Sequence, residues 1–143
     1  MMLIYLGIGT NMGNRYENLK KALRLLDERL GEQLSCSSVY HSDPQGFMSE
    51  NEFANIVVLY RTEHSAEEVL VLTQEIEREM GRVQKSVNGV YHDRIIDVDL
   101  LKAFGHEGDE LCIDTVRLTL PHPRMEERDF VMVPLREVEE INS

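Results

Sequence analysis

The sequence predicts an α+β fold built on one antiparallel sheet. Three features carry that reading: two amphipathic helices with cap signals, four apolar segments of strand character, and their order β-α-β-β-α-β along 143 residues. Residues 2–9 form the first strand. The helix over 15–30 places Leu19, Leu23, Leu26 and Leu30 at helical spacing; Asn14 with Glu17 supplies a capping box, and Gly31 ends it. Residues 34–42 form a second strand that ends in Tyr40-His41-Ser42. Asp43-Pro44-Gln45-Gly46 breaks regular structure and opens a loop to about Asn51. A third strand over 52–61 carries Phe53, Ile56, Val57, Val58, Leu59 and Tyr60. Ser65 with Glu68 caps a second helix, 66–80, whose core face is Val69, Leu72, Ile76 and Met80, and Gly81 stops it. Residues 82–93 are polar and irregular. A fourth strand spans 94–103. A short extended stretch, 111–120, leads to Pro121-His122-Pro123 and a helix from Arg124 through the 120s. This order is the split β-α-β pattern of ferredoxin-like folds, with helices mainly on one face of the sheet. The other face and the loops crossing it are open to ligands.

The length predicts a single domain over 1–143 with a short C-terminal end, long enough to bury a core. No apolar run reaches membrane-spanning length. Met1 to Gly7 has no basic leader and reads as a strand rather than a signal peptide. Two cysteines, Cys36 and Cys112, make no disulfide framework and no CxxC site, so the cytoplasm is the expected location. A net charge of −11 argues against a nucleic-acid-coating surface. The cations are nevertheless gathered: Arg78, Arg82, Lys85 and Arg94 precede the fourth strand's core, and Arg117, Arg124 and Arg128 follow it. Such grouping suits a small polyanion with metal, such as a nucleoside triphosphate; scattered surface solubility explains it equally well.

The most informative segment is Ile95-Ile96-Asp97-Val98-Asp99-Leu100-Leu101. Strand side chains alternate, so Asp97 and Asp99 leave one face roughly 6.5–7 Å apart. Ionised groups in apolar surroundings call for a partner or a metal. Two hard oxygen donors at this spacing suit Mg²⁺, which completes its shell with water and phosphate oxygens. The plain alternative is an amphipathic strand with a solvated polar face. Gly7-Ile8-Gly9-Thr10-Asn11-Met12-Gly13 has GxGxxxG spacing and reads as a tight strand-to-helix turn, not a dinucleotide loop. No GxxxxGK[ST] loop occurs, so side chains must hold any triphosphate. Gln74 and Glu77 lie one helical turn apart; a solvated helix flank is the stronger reading, a border of the cleft near Arg82 and Lys85 the weaker. His122, pinned between prolines, suits a phosphate or ribose as well as a plain surface turn. Phe53 and Phe130 in isolation are core candidates.

Taken together, these segments resemble the 6-hydroxymethyl-7,8-dihydropterin pyrophosphokinase family of folate biosynthesis. The resemblance runs from Tyr5 to about Val138. It rests on the 7–13 glycine segment, Tyr40-His41-Ser42-Asp43-Pro44-Gln45-Gly46, Phe53-Ala54-Asn55, Thr73-Gln74-Glu75-Ile76-Glu77, Gly81-Arg82, Asp93 to Leu101, Leu120-Pro121-His122-Pro123 and Arg128-Asp129-Phe130. It implies transfer of the β,γ-pyrophosphoryl unit of ATP to the pterin hydroxymethyl oxygen, with release of AMP. Asp97 and Asp99 would hold two Mg²⁺ ions, and Arg82, Arg94, Asp97 and Asp99 would be the catalytic set. Gln74, Glu77, Arg82, Lys85, Arg94, Arg117, His122 and Arg128 would bind ATP. Phe53 and Phe130 would sandwich the pterin, with Asn55, Ser42 and the Pro44, Gln45 and Gly46 backbone along its edge. A monomer with small-molecule partners, without membrane or nucleic acid, is expected.

The chain departs from the family pattern in three places. Position 84 is Gln where a second arginine is usual. The chain has no Trp, and Tyr91 or His92 takes the place of the loop tryptophan. Phe53 replaces a frequent tyrosine. Two rivals are a catalytically silent ferredoxin-like binding module and a metal-dependent nucleotide hydrolase. Paired carboxylates argue against the first, and Phe53, Asn55 and Phe130 together argue against the second.

Overall fold

The structure, a computed structural model, describes residues 1–42, 52–81, 86–87, 90–91 and 95–141, with 86, 87, 90 and 91 as backbone only. The first strand, β1 (Met2–Thr10), has alternate side chains Ile4, Leu6 and Ile8 fully or almost fully buried. Helix α1 (Arg15–Arg29) begins at Asn14, whose side chain accepts the Glu17 N–H at 3.1 Å, and it buries Leu19, Ala22 and Leu26. Gly31 then turns the chain at φ +139°, where a Cβ would stand 2.6 Å from the Arg61 carbonyl oxygen. No side chain fits there, which explains a glycine at the start of the next strand.

The predicted strand over 34–42 is two strands, β2 (Gly31–Cys36) and β3 (Tyr40–Ser42). The interruption has a local cause. Ser37 Oγ accepts the Val57 N–H at 2.9 Å, in place of a ladder bond, and donates to the Ser38 carbonyl. The Ser38 N–H and hydroxyl both donate to the Glu137 carboxylate. Side chains thus compete with the strand for its own backbone groups. Strand β4 (Phe53–Thr62) is buried along almost its whole length. Helix α2 (Ala66–Glu79) opens with a complete capping box between Ser65 and Glu68. The polar stretch after it contains two short paired strands, β5 (Ser86–Val87) and β6 (Val90–Tyr91). Strand β7 (Asp97–Phe104) follows, then the small hairpin β8 (Ile113–Asp114) and β9 (Thr119–Leu120).

The sheet order is β2-β4-β1-β7, with β3 beside β4, and all neighbours are antiparallel. This is the split β-α-β topology. Helices α1 and α2 share one face with Ile4, Leu6, Ile8, Ile56, Val58, Val98 and Leu100 in a single apolar layer. Within it the Tyr60 hydroxyl donates to Asp27 at 2.6 Å; burial first, then that carboxylate, pushes the phenol far above its ordinary value.

The last helix differs from expectation. Only a 3-10 turn, Met125–Glu127, occupies the 120s; the helix proper, α3, is Asp129–Ile141. It crosses the second face of the sheet and packs Val131, Leu135 and Val138 on Tyr5, Val57, Leu59 and Leu101. Glu139 pairs with Lys102, whose ammonium sits 5.4 Å from the Tyr5 ring centre and 5.6 Å from that of Phe104. The second face is therefore half covered, and its remaining half is the floor of the site.

Candidate active site

The register of the sheet assembles the site. Gly9 pairs with Asn55 on one side and Asp97 on the other; Gly7 pairs with Val57 and Asp99. Tyr40 extends the first row, opposite Asn55, and Ser42 stands opposite Phe53. Alternation puts Gly7, Gly9, Phe53, Asn55, Asp97 and Asp99 on the α3 face, beyond the end that α3 covers. Asp97 and Asp99 are half-buried, while Val98 and Leu100 between and after them are buried in the opposite apolar layer. The two carboxylates share one face, as their spacing predicts. The pairing shifts register at Leu101, an irregularity of the kind that often lies next to active sites.

Two glycines opposite two aspartates leave the floor bare. At Gly9 a Cβ would fall 2.9 Å from Asn55 Oδ1 and 3.6 Å from the Phe53 ring. Asn55 is 5% exposed, and its Nδ2 donates to the Tyr40 carbonyl at 3.2 Å and to Ser42 Oγ at 2.9 Å. Both amide hydrogens are thereby committed, and Oδ1 is turned toward the bare backbone of Gly9. Phe53 is buried beside it.

A cleft of about 360 Å³ opens next to this floor, lined by Tyr40, His41, Ser42, Glu52, Glu127, Arg128, Asp129 and Phe130. Phe130 packs against the margin of the second apolar layer, and the Arg128 guanidinium lies 5.7 Å from its ring centre. The first turn of α1 braces the cleft wall. The Arg15 guanidinium donates to the Glu52 carbonyl at 2.8 Å, and the Tyr16 hydroxyl lies 3.2 Å from His41 Nε2. Sequence reasoning singled out neither Arg15 and Tyr16 nor Glu52 and Glu127, and it named Asp129 only within the Arg128-Asp129-Phe130 segment. Arg15, Tyr16 and Glu52 act through contacts 25 and 37 residues apart, which no local pattern announces.

Of the expected site residues, the structure brings together Ser42, Phe53, Asn55 and Asp97 across adjacent strands, with Asp99 one row further on. It joins Arg128 and Phe130 to Ser42 across the cleft. His122 is fixed by its N–H, which donates to the Leu101 carbonyl at 2.8 Å, and by Nδ1, which accepts from the Arg124 N–H at 3.2 Å. Arg117 is exposed in the β8–β9 turn, and Gln74 is exposed on α2. Glu77 corrects the solvated-flank reading. It is 8% exposed, and its Oε2 accepts the Val98 N–H at 2.8 Å. The missed signal was its place on the stripe of Val69, Thr73, Ile76 and Met80, three and four residues from its neighbours. Pro44, Gln45, Gly46, Arg82, Lys85 and Arg94 lie outside the described residues.

The chemistry of the donor set fits a divalent cation that is shared with a ligand. Among the described residues no group of three or more His, Cys, Asp or Glu is placed to hold an ion unaided. Two half-buried carboxylates on one face are what a hard cation needs when phosphate oxygens and water supply the rest. Among the described residues no helix is long and apolar enough to cross a membrane.

Comparisons with known proteins identify the family and the fold. The family model for 7,8-dihydro-6-hydroxymethylpterin-pyrophosphokinase matches residues 5–140. A 2-amino-4-hydroxy-6-hydroxymethyldihydropteridine pyrophosphokinase from Porphyromonas gingivalis is 44% identical over 138 residues, covering 96% of this chain and 91% of that protein. The Bacillus subtilis protein of the same name is 37% identical over 137 residues, covering 95% and 77%. In fold, the chain is similar to the crystal structure of an HPPK-DHPS in complex with substrates, with TM-score 0.70 and 15% identity over 96% of this chain. It is also similar to the Plasmodium falciparum HPPK-DHPS, with TM-score 0.58 and 14% identity over 98% of this chain. It spans only 40% and 36% of those two larger chains. On the family match and these identities, the chain belongs to the 7,8-dihydro-6-hydroxymethylpterin-pyrophosphokinase family.

Proposed function

We infer that the chain transfers pyrophosphate from ATP to 6-hydroxymethyl-7,8-dihydropterin in folate biosynthesis, releasing AMP. One observation carries the reading at the level of residues. Asp97 and Asp99 stand on the bare half of the sheet, and Asp97 shares a row, through Gly9, with Asn55. In this reading a polyphosphate site and a ring site are neighbours on one floor.

In this reading Phe53 and Phe130 hold the two faces of the pterin, a flat ring that gains from offset aromatic contact. The edge of the ring presents N–H donors, and Asn55 Oδ1 is the acceptor left over once Nδ2 is committed to Tyr40 and Ser42. Ser42 and the backbone of Pro44, Gln45 and Gly46 complete that edge. Gln74, Arg117 and His122 line the nucleotide, while Arg82, Lys85, Arg94 and Arg128 pin the phosphates. Two magnesium ions, held by Asp97 and Asp99 with phosphate oxygens, would neutralise charge on the triphosphate as it shifts toward AMP. The residues' own share is positioning: the hydroxymethyl oxygen and the β-phosphorus are brought in line, and water is kept out. One domain, residues 1–143, acting as a cytoplasmic monomer, completes the proposal.

The test is AMP release from ATP and magnesium with and without hydroxymethyl-dihydropterin. Release that requires the pterin, together with a pterin diphosphate product, supports the reading. AMP formed without pterin would make the chain a hydrolase. Pterin and ATP binding without AMP would make it a silent binding module.

A further inference from the structure

Glu77 occupies an expensive position. It lies in the last turn of α2, where the helix dipole disfavours negative charge. It is also 8% exposed, and a carboxylate withdrawn from water is retained only against a desolvation penalty. Its Oε2 accepts a 2.8 Å hydrogen bond from the Val98 N–H. Val98 is the residue between Asp97 and Asp99, and β7 is the outermost strand of the main sheet. The bond is buried, so the Val98 N–H needs a protein acceptor, and α2 supplies a charged one at that point of β7.

The bond has a second consequence. The directions of the Asp97 and Asp99 side chains are set by the backbone dihedrals between them. Val98 is held on one side by its pairing with Ile8 and by burial in the apolar layer. Glu77 holds it from α2. A strand clamped at this residue keeps the two carboxylates parallel; a strand loose there lets them splay.

We propose that Glu77 is a positioning residue for the carboxylate pair: through the Val98 N–H it fixes the backbone that aims Asp97 and Asp99 at a shared cation. The proposal rests on the metal-assisted reading above. It assigns Glu77 to the support of the ion site, not to contact with the nucleotide.

The experiment compares wild type with Glu77→Leu, Glu77→Gln and Glu77→Asp. Calorimetry measures the magnesium affinity of each protein in the presence of a non-hydrolysable ATP analogue, and amide exchange follows Val98. Glu77→Leu is expected to weaken magnesium binding about 10–100-fold, the range for loss of a group that orients metal ligands. Val98 exchange should accelerate, and pterin affinity should not move. Glu77→Gln keeps an acceptor oxygen at the same reach and should recover most of the loss. Glu77→Asp, one methylene shorter, should fall between; it carries the test if the Leu variant does not fold.

Magnesium affinity in the Leu and Asp variants equal to wild type overturns the proposal. So does a folded Gln variant as defective as Leu, since charge rather than the hydrogen bond would then be acting. A wild type whose ATP analogue binds equally with magnesium chelated removes the ion site and this proposal together. A magnesium-dependent wild type matched by the Leu variant removes this proposal alone.

Discussion

The two faces of the central sheet are made by the same strands and serve opposite ends. On one face β1, β4 and β7 present Ile4, Leu6, Ile8, Ile56, Val58, Val98 and Leu100 to α1 and α2, a continuous aliphatic layer. On the other, the residues next in sequence are Gly7, Gly9, Phe53, Asn55, Asp97 and Asp99, and α3 stops short of them. The first face is filled with packed side chains, and the second is left bare beside the cleft, where the proposed function puts the ligands. The difference teaches how a two-residue repeat separates folding from chemistry: outside the irregularity at Leu101, neighbours along these strands take opposite sides. The floor of the site is stiff because its underside is close-packed, not because of anything on the floor itself.

Substitutions on the two sides should therefore fail differently. Asp97→Ala should lower turnover by at least about 10²–10³-fold, as for other losses of transition-state charge stabilisation, with the thermal midpoint nearly unchanged. Near-normal turnover in a steady-state assay would erase the distinction between the faces. Leu6→Ala, on the packed side, should cost about 2–5 kcal/mol in denaturant unfolding, because Leu6 is fully buried. Its folded fraction should keep wild-type affinity for both substrates.

Gly9→Ala tests the boundary between them. The added methyl meets Asn55 Oδ1, which can yield only by giving up its bonds to Tyr40 and Ser42, about 1–3 kcal/mol for buried polar groups left unpaired. Removing a strand glycine returns roughly 0.5–1 kcal/mol. Net stability should fall by about 0–2.5 kcal/mol while pterin binding weakens clearly; an unaltered pterin titration would separate Asn55 from the ring site. Phe130→Ala should give the smallest effect, about 0.5–1.5 kcal/mol of stacking beyond the lost area, on pterin and not on ATP. Equal losses for both ligands in paired titrations would remove the aromatic sandwich.

The faces were legible in the sequence because alternation is a local property. The run from Ile95 to Leu101 is enough to place Asp97 and Asp99 together, and the caps at Asn14 and Ser65 locate both early helices. What was not legible depends on distant partners. The break between β2 and β3 is set partly by Glu137, 99 residues from Ser38. Local pattern places helix α3 too early and makes it too short: Pro134 inside it argues against a helix by local rules, yet Val131, Leu135 and Val138 form a stripe that the second face of the sheet makes useful. Glu77 reads as solvated because a carboxylate at a helix end usually is; it accepts a backbone N–H of strand β7.

The alternation along β7 has one more consequence. Sliding this outer strand by a single position would turn both acids into the oily layer beneath α1 and α2 and lift Val98 and Leu100 into water. No compact state could shelter two unpaired carboxylates there. The two acids proposed to serve the ligand would thus also act as proofreaders of assembly, rejecting a shifted sheet before any substrate is met.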